Sequence, residues 1–360
     1  MPPLESLIRN KINAEGSIST ERFMSLILSH PIYGYYNLRD SIGVNGDFIT
    51  APELSQMFGE LIGLWAVVVW EQTNINKKLS ITEIGPGTGM LMSDALRAIK
   101  QVNKLEKDIS INLVEISQRL KAYQKEKLFG YNARWYQDIS NLPSETNITF
   151  ANEFFDALPV IQLISNKNRW FERRITISDT PPHELIFVHG SAIKPNTLPS
   201  NILDLKAGDG EIFEYSPARE NAVLSLAKRI EKNGGAILII DYGHSRTSIG
   251  ETLQGIKNHQ IHSVLEKPGT ADITAHVDFD ALKRAVSSTK TKFFGPITQG
   301  EFLRRIGIET RAAALLKKAT NTSAIKIESS LNRLINPIGM GEIFKVVAIT
   351  KEDAPVPPGF

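Results

Sequence analysis

The sequence predicts an α/β fold: a mostly parallel sheet with helices on both faces, plus an N-terminal helical region and inserted antiparallel and helical segments. Three observations carry this. A short apolar strand, Leu79 to Ile84, runs into a turn opened by Gly85, Gly87 and Gly89 and then into a helical stretch from Met90 to Lys100. Beyond it, strand-like apolar runs alternate with helical periodicity, the pattern of a parallel sheet. Between residues 160 and 217 that rhythm breaks, and strand-like segments flanking a Pro-Pro turn read as an antiparallel insertion.

Taken in order, residues 3 to 30 predict two helices. Leu4, Leu7, Ile8 and Ile12 recur at helical spacing up to Gly16. Ser19 or Thr20 caps the next helix, with Phe23, Met24, Ile27 and Leu28 on its apolar face, and His30-Pro31 ends it. The aromatic cluster Tyr33-Gly-Tyr-Tyr36 precedes a loop rich in Gly, Asn and Asp from Gly43 to Glu53. A third helix is expected from about Pro52 to Glu71. After the glycine turn, strands are expected at Ile109 to Ile116, Ala133 to Tyr136, Ile148 to Ala151 and Ala236 to Ile240, with helices over 117–129 and Ser216 to Lys232. The inserted strands are Arg169 to Ile177, Glu184 to Val188 and Glu211 to Tyr215. His259 and His262, three apart, could share a helix face, but no carboxylate or third histidine stands at ligand spacing, so no metal site is expected. A helix over 278–288, a strand at Lys292 to Phe294, helices from about Gln299 to Lys318 and Ile325 to Leu334, and a strand at Ile343 to Ile349 complete the pattern. The expected organisation is an N-terminal helical region (1–75), a nucleotide-fold domain (76–350) with insertions at about 160–217, 244–269 and 299–340, and a flexible Pro-rich tail (351–360).

Composition removes several functions. Across 360 residues, 41 Lys and Arg nearly balance 39 Asp and Glu, so no global field draws the chain onto nucleic acid. Cysteine is absent, which excludes disulfides and thiolate metal sites. The longest apolar run, Leu64 to Trp70, is too short to span a bilayer, and no membrane insertion is expected. The N-terminal MPPLESLIRNK has no apolar core and none of the Arg/Ser richness of a transit peptide, so a bacterial, cytoplasmic protein is expected. Nothing in the chain specifies an oligomeric state.

The chemistry is concentrated at strand ends. Glycines in a strand-to-helix turn let backbone pass close to a ligand, and the helix N-terminus behind them offers unpaired N–H groups. A dinucleotide fingerprint would place a third small residue at position 90, where Met90 is too bulky. Glu83, two residues before Gly85, instead completes Glu-x-Gly-x-Gly-x-Gly, which resembles motif I of the class I S-adenosylmethionine (SAM) methyltransferases. Glu115 ends the second strand, where a carboxylate can accept from both ribose hydroxyls. Asp138 follows the third strand, at a place where such methyltransferases commonly set a side chain against the adenine amino group; a turn cap is the alternative there. The fourth strand delivers Asn152-Glu-Phe-Phe-Asp-Ala-Leu-Pro159 to the same edge, with a charged helix N-terminus as the other explanation of its acids.

Several longer stretches extend the resemblance. They are Gly46-Asp-Phe-Ile-Thr-Ala-Pro-Glu53, Phe58-Gly-Glu-Leu-Ile-Gly63, Glu83 to Gly89, Ala151 to Pro159, Asp241-Tyr-Gly243, Ala271-Asp-Ile-Thr-Ala-His-Val-Asp278 and Met340-Gly-Glu-Ile-Phe-Lys345. Together they resemble the SAM-dependent methyltransferase family whose mitochondrial members assist assembly of respiratory complex I. The resemblance covers nearly the whole chain and implies SAM as cofactor, a protein substrate, and symmetric dimethylation of an arginine in a complex I subunit. Thr88 departs from the family, which commonly has a basic residue there, and the N-terminus departs in lacking a transit peptide. In this frame Glu83, Gly85, Gly87, Gly89, Glu115 and Asp138 are the cofactor-binding candidates. Methylating a guanidinium calls for carboxylates that bind its fork and localise positive charge away from the reacting nitrogen. Glu153 and Asp156, with Asn152 beside them, are the acids best placed for that, Asp47 and Glu53 are further substrate-binding candidates, and His276 is a candidate proton acceptor or a support for its own loop. A protein arginine methyltransferase is the first expectation. A small-molecule O- or N-methyltransferase and a SAM-binding assembly chaperone without turnover are the alternatives.

Overall fold

The computed structural model describes residues 2–38, 50–73, 78–102, 109–199, 202 and 205–360. Seven strands build its main sheet: β1 (Ser80–Ile84), β2 (Ser110–Val114), β3 (Ala133–Tyr136), β4 (Asn147–Asn152), β5 (Gly235–His244), β6 (Thr291–Thr298) and β7 (Phe344–Lys351). Their order is β6-β7-β5-β4-β1-β2-β3, and the short strand Val277–Asp278 adds in parallel to the end of β5. Pairings among β1 to β5 are parallel, whereas β7 runs antiparallel between β5 and β6. The mostly parallel sheet expected from the sequence is therefore present. Chain direction across the sheet reverses between β1 and β4, so the carboxyl ends of these strands frame the crevice where open α/β sheets bind ligands.

Apolar side chains cover both faces, each large one worth about 1.5–3 kcal/mol when fully buried. On one face, Leu61, Ile62 and Trp65 of helix Gln56–Gln72 pack with Leu91, Leu96 and Ile99 of helix Met90–Val102. On the other lie Val223, Leu226 and Ile230 of helix Pro217–Asn233, with Phe279 and Leu282 of helix Phe279–Val286. The sheet also buries a polar group: Asn112 and Asn147 both donate to Ser80 Oγ, at 3.2 and 2.7 Å, and Thr149 donates to Asn147 Oδ1 at 2.8 Å. Mutual hydrogen bonding is what makes such burial tolerable.

The N-terminal helices Pro3–Glu15 and Thr20–Ser29 do not cover this sheet. They pack on a second, antiparallel sheet, where Ile8, Phe23 and Ile27 share a cluster with Val160 and Ile175. That sheet consists of Ile18–Ser19, Ile161–Asn166, Arg169–Ile177, Leu185–Ala192 and Ile212–Tyr215. The insertion expected at 160–217 is thus antiparallel, and it recruits a strand from the N-terminal region.

Three expectations are corrected. The helix expected from Pro52 to Glu71 breaks at Ser55, whose backbone is extended and whose hydroxyl accepts from Met57 N to start a fresh helix; Ala51–Leu54 is a separate turn. The histidines at 259 and 262 share no helix face: they belong to a hairpin of Gln254–Lys257 and Gln260–His262, with Asn258 and His259 at positive φ in its turn. The tail expected to be flexible is docked. Trp65 Nε1 donates to Pro358 O at 3.0 Å, Arg305 Nη1 donates to Gly359 O at 3.0 Å, and the Phe360 ring lies 5.5 Å from that of Phe302. Apolar contact outweighs the entropy that Pro-rich composition suggested would keep it free.

Candidate active site

A cavity of about 300 Å³ opens at the carboxyl ends of β1, β2 and β4. The glycine turn forms one wall. Gly85, Gly87 and Gly89 all have positive φ (64°, 52° and 84°), which L side chains rarely adopt. A Cβ at Gly85 would also stand 2.9 Å from Phe154 Cδ2, so this turn packs directly against the loop after β4. Gly89 supports the turn but does not line the cavity, whereas Gly85 and Gly87 do.

Glu83 is buried, and its Oε2 has no hydrogen-bond partner. Burial pushes its carboxyl up to about 8, opposed by the Met92 N–H and reinforced by the charge of Glu115. Glu115 is better supported: Oε1 accepts from Ser117 N at 2.8 Å and Oε2 from Gln124 Nε2 at 3.1 Å. Burial still raises its value. Gln124 is a residue the sequence did not single out. Its Nε2 also donates to Gly87 O at 2.8 Å, and its Oε1 accepts from Trp135 Nε1 at 2.9 Å, so one amide ties the glycine turn to Glu115. Asp138 lines the cavity after β3 and at the same time caps a short turn, accepting from Ser140 N at 2.8 Å. These hydrogen bonds hold its carboxyl low. The two readings of Asp138 are therefore compatible.

The loop after β4 forms the facing wall. Asn152 lines the cavity with Oδ1 unpartnered and buried. Glu153 has φ 50°, a left-handed backbone that costs a non-glycine residue about 1–3 kcal/mol. Its N donates to Ile240 O at 2.9 Å, and its Oε1 accepts from Ala51 N at 3.1 Å and Asn152 Nδ2 at 3.3 Å. Burial, then the charge of Asp156, pushes Glu153 up to about 8. Glu53 also lines the cavity and accepts a hydrogen bond from Thr88 Oγ1. Tyr36, noted in the sequence only as part of an aromatic cluster, reaches in from the N-terminal region, and its hydroxyl donates to Asp272 Oδ1 at 3.2 Å.

Not every candidate arrives here. Asp156 follows Glu153 by three residues yet does not line the cavity. Its carboxyl faces Arg219 and the Tyr242 hydroxyl, which restrain a value that burial raises to about 6. Of the expected Glu153/Asp156 pair only Glu153 reaches the cavity wall, although the charge of Asp156 is still felt at Glu153. His276 is also elsewhere, in a small depression with Arg219, His244 and Asp278. Its N donates to Thr252 Oγ1 at 2.9 Å, its ring meets Tyr242 edge-on at 5.4 Å, and burial lowers its value. Asp47 lies outside the described residues.

The acceptor-rich lining suits SAM. Glu83 Oε2 and Asn152 Oδ1 are buried acceptors in need of donors, and Glu115 and Asp138 add carboxylates. SAM presents an ammonium, two ribose hydroxyls and an adenine amino group, all donors, and the glycines leave room for backbone approach.

Comparison with known proteins agrees. Residues 61–297 match the family model described as "Putative S-adenosyl-L-methionine-dependent methyltransferase". The mitochondrial protein arginine methyltransferase NDUFAF7 of Danio rerio is 38% identical over 95% of this chain and 85% of its own length. The human protein of that name is 35% identical over 96% of this chain and 84% of its own. A crystal structure from Burkholderia thailandensis with S-adenosyl-homocysteine (SAH) bound superposes with a TM-score of 0.86 at 26% identity, covering 99% of this chain and 94% of that one. The animal relatives carry mitochondrial names, from zebrafish to Drosophila melanogaster, which overturns the expectation of a bacterial, cytoplasmic protein. With the class I strand order, the glycine turn and these relatives in hand, the chain belongs to the SAM-dependent methyltransferase family and is a SAM-using enzyme.

Proposed function

We propose that this enzyme methylates an arginine side chain of a protein, and that the cavity holds SAM against the glycine turn and the guanidinium against the loop after β4. One observation supports this most: Glu153 is a half-buried carboxyl on the cavity wall whose raised value has no cation among its causes. A cationic acceptor would complete it, and similarity to protein arginine methyltransferases over 95% of the chain points to the same acceptor. For the target itself, the family resemblance favours a subunit of respiratory complex I, and the mitochondrion as its compartment.

In this proposal Glu83, Gly85, Gly87, Gly89, Glu115 and Asp138 hold SAM, while Asn152, Glu153 and Glu53 hold the acceptor. SAM supplies an activated methyl group whose carbon–sulfur bond breaks with its electron pair left on sulfur as the carbon–nitrogen bond forms. Glu153 and Asn152 bind the guanidinium edge and keep positive charge on the nitrogens that do not react. The reacting nitrogen must lose one proton. A carboxyl that burial raises to about 8 is suited to take it, and in this proposal Glu153 does so.

The test is incubation with labelled SAM and a mitochondrial extract, followed by acid hydrolysis of the protein fraction. Label in methylated arginine supports the proposal. Label confined to small molecules, or no label at all, overturns it in favour of a small-molecule acceptor or of SAM binding without turnover. Glu153→Ala should bind SAH normally and transfer nothing to arginine.

A further inference from the structure

The left-handed geometry of the Glu153 loop is not self-supporting. Its supports come from Asp241 at the end of β5 and Arg219 in the first turn of helix Pro217–Asn233, and neither lines the cavity. Asp241 is fully buried. Its Oδ2 accepts from Phe155 N at 2.9 Å and Asp156 N at 3.2 Å, and its Oδ1 accepts from Tyr242 N at 2.9 Å. One carboxyl group thus gathers the two N–H groups that follow Phe154. On the far side, Arg219 Nη2 donates to Asp156 O at 3.0 Å and to Ala275 O at 2.8 Å, and Nη1 donates to His276 O. At the near end, Glu153 N donates to Ile240 O, the residue before Asp241. The left-handed backbone at Glu153 is held between these ties. A loop free of them would relax toward ordinary φ and carry the Glu153 carboxyl off the cavity wall.

We propose that Asp241 is a positioning residue for methyl transfer: by binding the Phe155 and Asp156 N–H groups, with Arg219 bracing Asp156 O, it fixes the strained loop that aims Glu153 at the acceptor. The proposal rests on the reading of Glu153 as the acid that binds the acceptor. It also assigns a role to Asp241-Tyr-Gly243, a stretch whose purpose the cavity lining alone leaves unexplained. Asp241 acts through the loop's shape and touches neither SAM nor acceptor.

The experiment compares Asp241→Ala, Asp241→Asn, Glu153→Gln and the Asp241→Ala/Glu153→Gln double variant. SAH affinity is measured by isothermal titration, and initial rates by label transferred from saturating SAM to arginine in mitochondrial extract protein. Asp241→Ala should bind SAH within about 2-fold of wild type and lose about 100-fold in rate, the cost of misplacing a reacting group by an ångström or so. Asp241→Asn keeps one acceptor oxygen for the loop and should lose only about 10-fold, which also serves if the alanine variant does not fold. In the Glu153→Gln background, Asp241→Ala should cost no more than about 2-fold further, because a residue acting only through Glu153 has nothing left to position. A wild-type rate in Asp241→Ala, SAH affinity falling in step with rate, or an undiminished loss in the double variant each overturns the proposal. Glu153→Gln running at the wild-type rate overturns instead the acceptor-binding reading on which it rests.

Discussion

The two walls of the cavity are built on different plans. The glycine-turn wall is local: β1, the turn and the helix behind it come from consecutive residues, and one further amide, Gln124, ties them to Glu115. The Glu153 wall is assembled at a distance. Ala51 N, Ile240 O, Asp241 and Arg219 all converge on Glu153, Phe155 and Asp156, just after β4. A wall made of backbone turn and strand ends is stiff with little help, whereas one carrying a strained, half-buried carboxyl stays in place only through its surroundings. Substitutions on the first wall should therefore act on cofactor affinity at the substituted position, while those on the second should act on turnover and spread to residues that touch no ligand.

The most damaging substitution should be Gly85→Val, which puts a β-branched side chain at φ 64° and a Cβ 2.9 Å from Phe154. SAH affinity by isothermal titration should fall about 1,000-fold, since both walls are disturbed at their contact. Next is Glu153→Gln, expected to lower arginine methylation about 100-fold or more while SAH affinity holds, the signature of an interaction specific to the acceptor. Glu115→Ala should show the converse, about 10-fold weaker SAH with little change in turnover at saturating SAM.

The two walls also differ in how they respond to pH. Glu153 must be ionised to pair with a guanidinium, yet burial holds it near 8 in the free enzyme. At saturating SAM and limiting acceptor, the rate should therefore climb as pH rises from 6.5 and level off above about 8, and Glu153→Gln should flatten that climb. The smallest effect concerns folding. Glu83 titrates near 8 when folded and near its ordinary 4.5 when unfolded, so between those values the folded chain binds the extra proton and stability declines as pH rises. Glu83→Gln should remove part of that decline, seen as a melting temperature higher by on the order of 2 °C at pH 8 and unchanged or lower at pH 4.5.

Legibility in the sequence followed the same division. Residues 79–100 announced strand, turn and helix because every determinant lies within one short window, and Glu115 and Asp138 followed from strand ends. The direction of Asp156 did not follow, since it depends on Arg219 and Tyr242 from elsewhere in the chain. Gln124 sits on a helix of unremarkable composition, and its amide gains a role only when β3 brings Trp135 beside it. Tyr36 matters through Asp272, 236 positions away. The tail was misjudged because proline content speaks of local stiffness and says nothing of the apolar surface that Phe302 and Trp65 offer it.

The left-handed backbone of Glu153 has a consequence for how such an enzyme ages. Glycine at 153 would relieve that conformation and delete a carboxyl that burial opposes, so Glu153→Gly should melt later than wild type while transferring no methyl groups. Folding and chemistry pull this position in opposite directions. In a lineage that no longer needs its modified arginine, drift at 153 would run downhill toward a sturdier and silent protein.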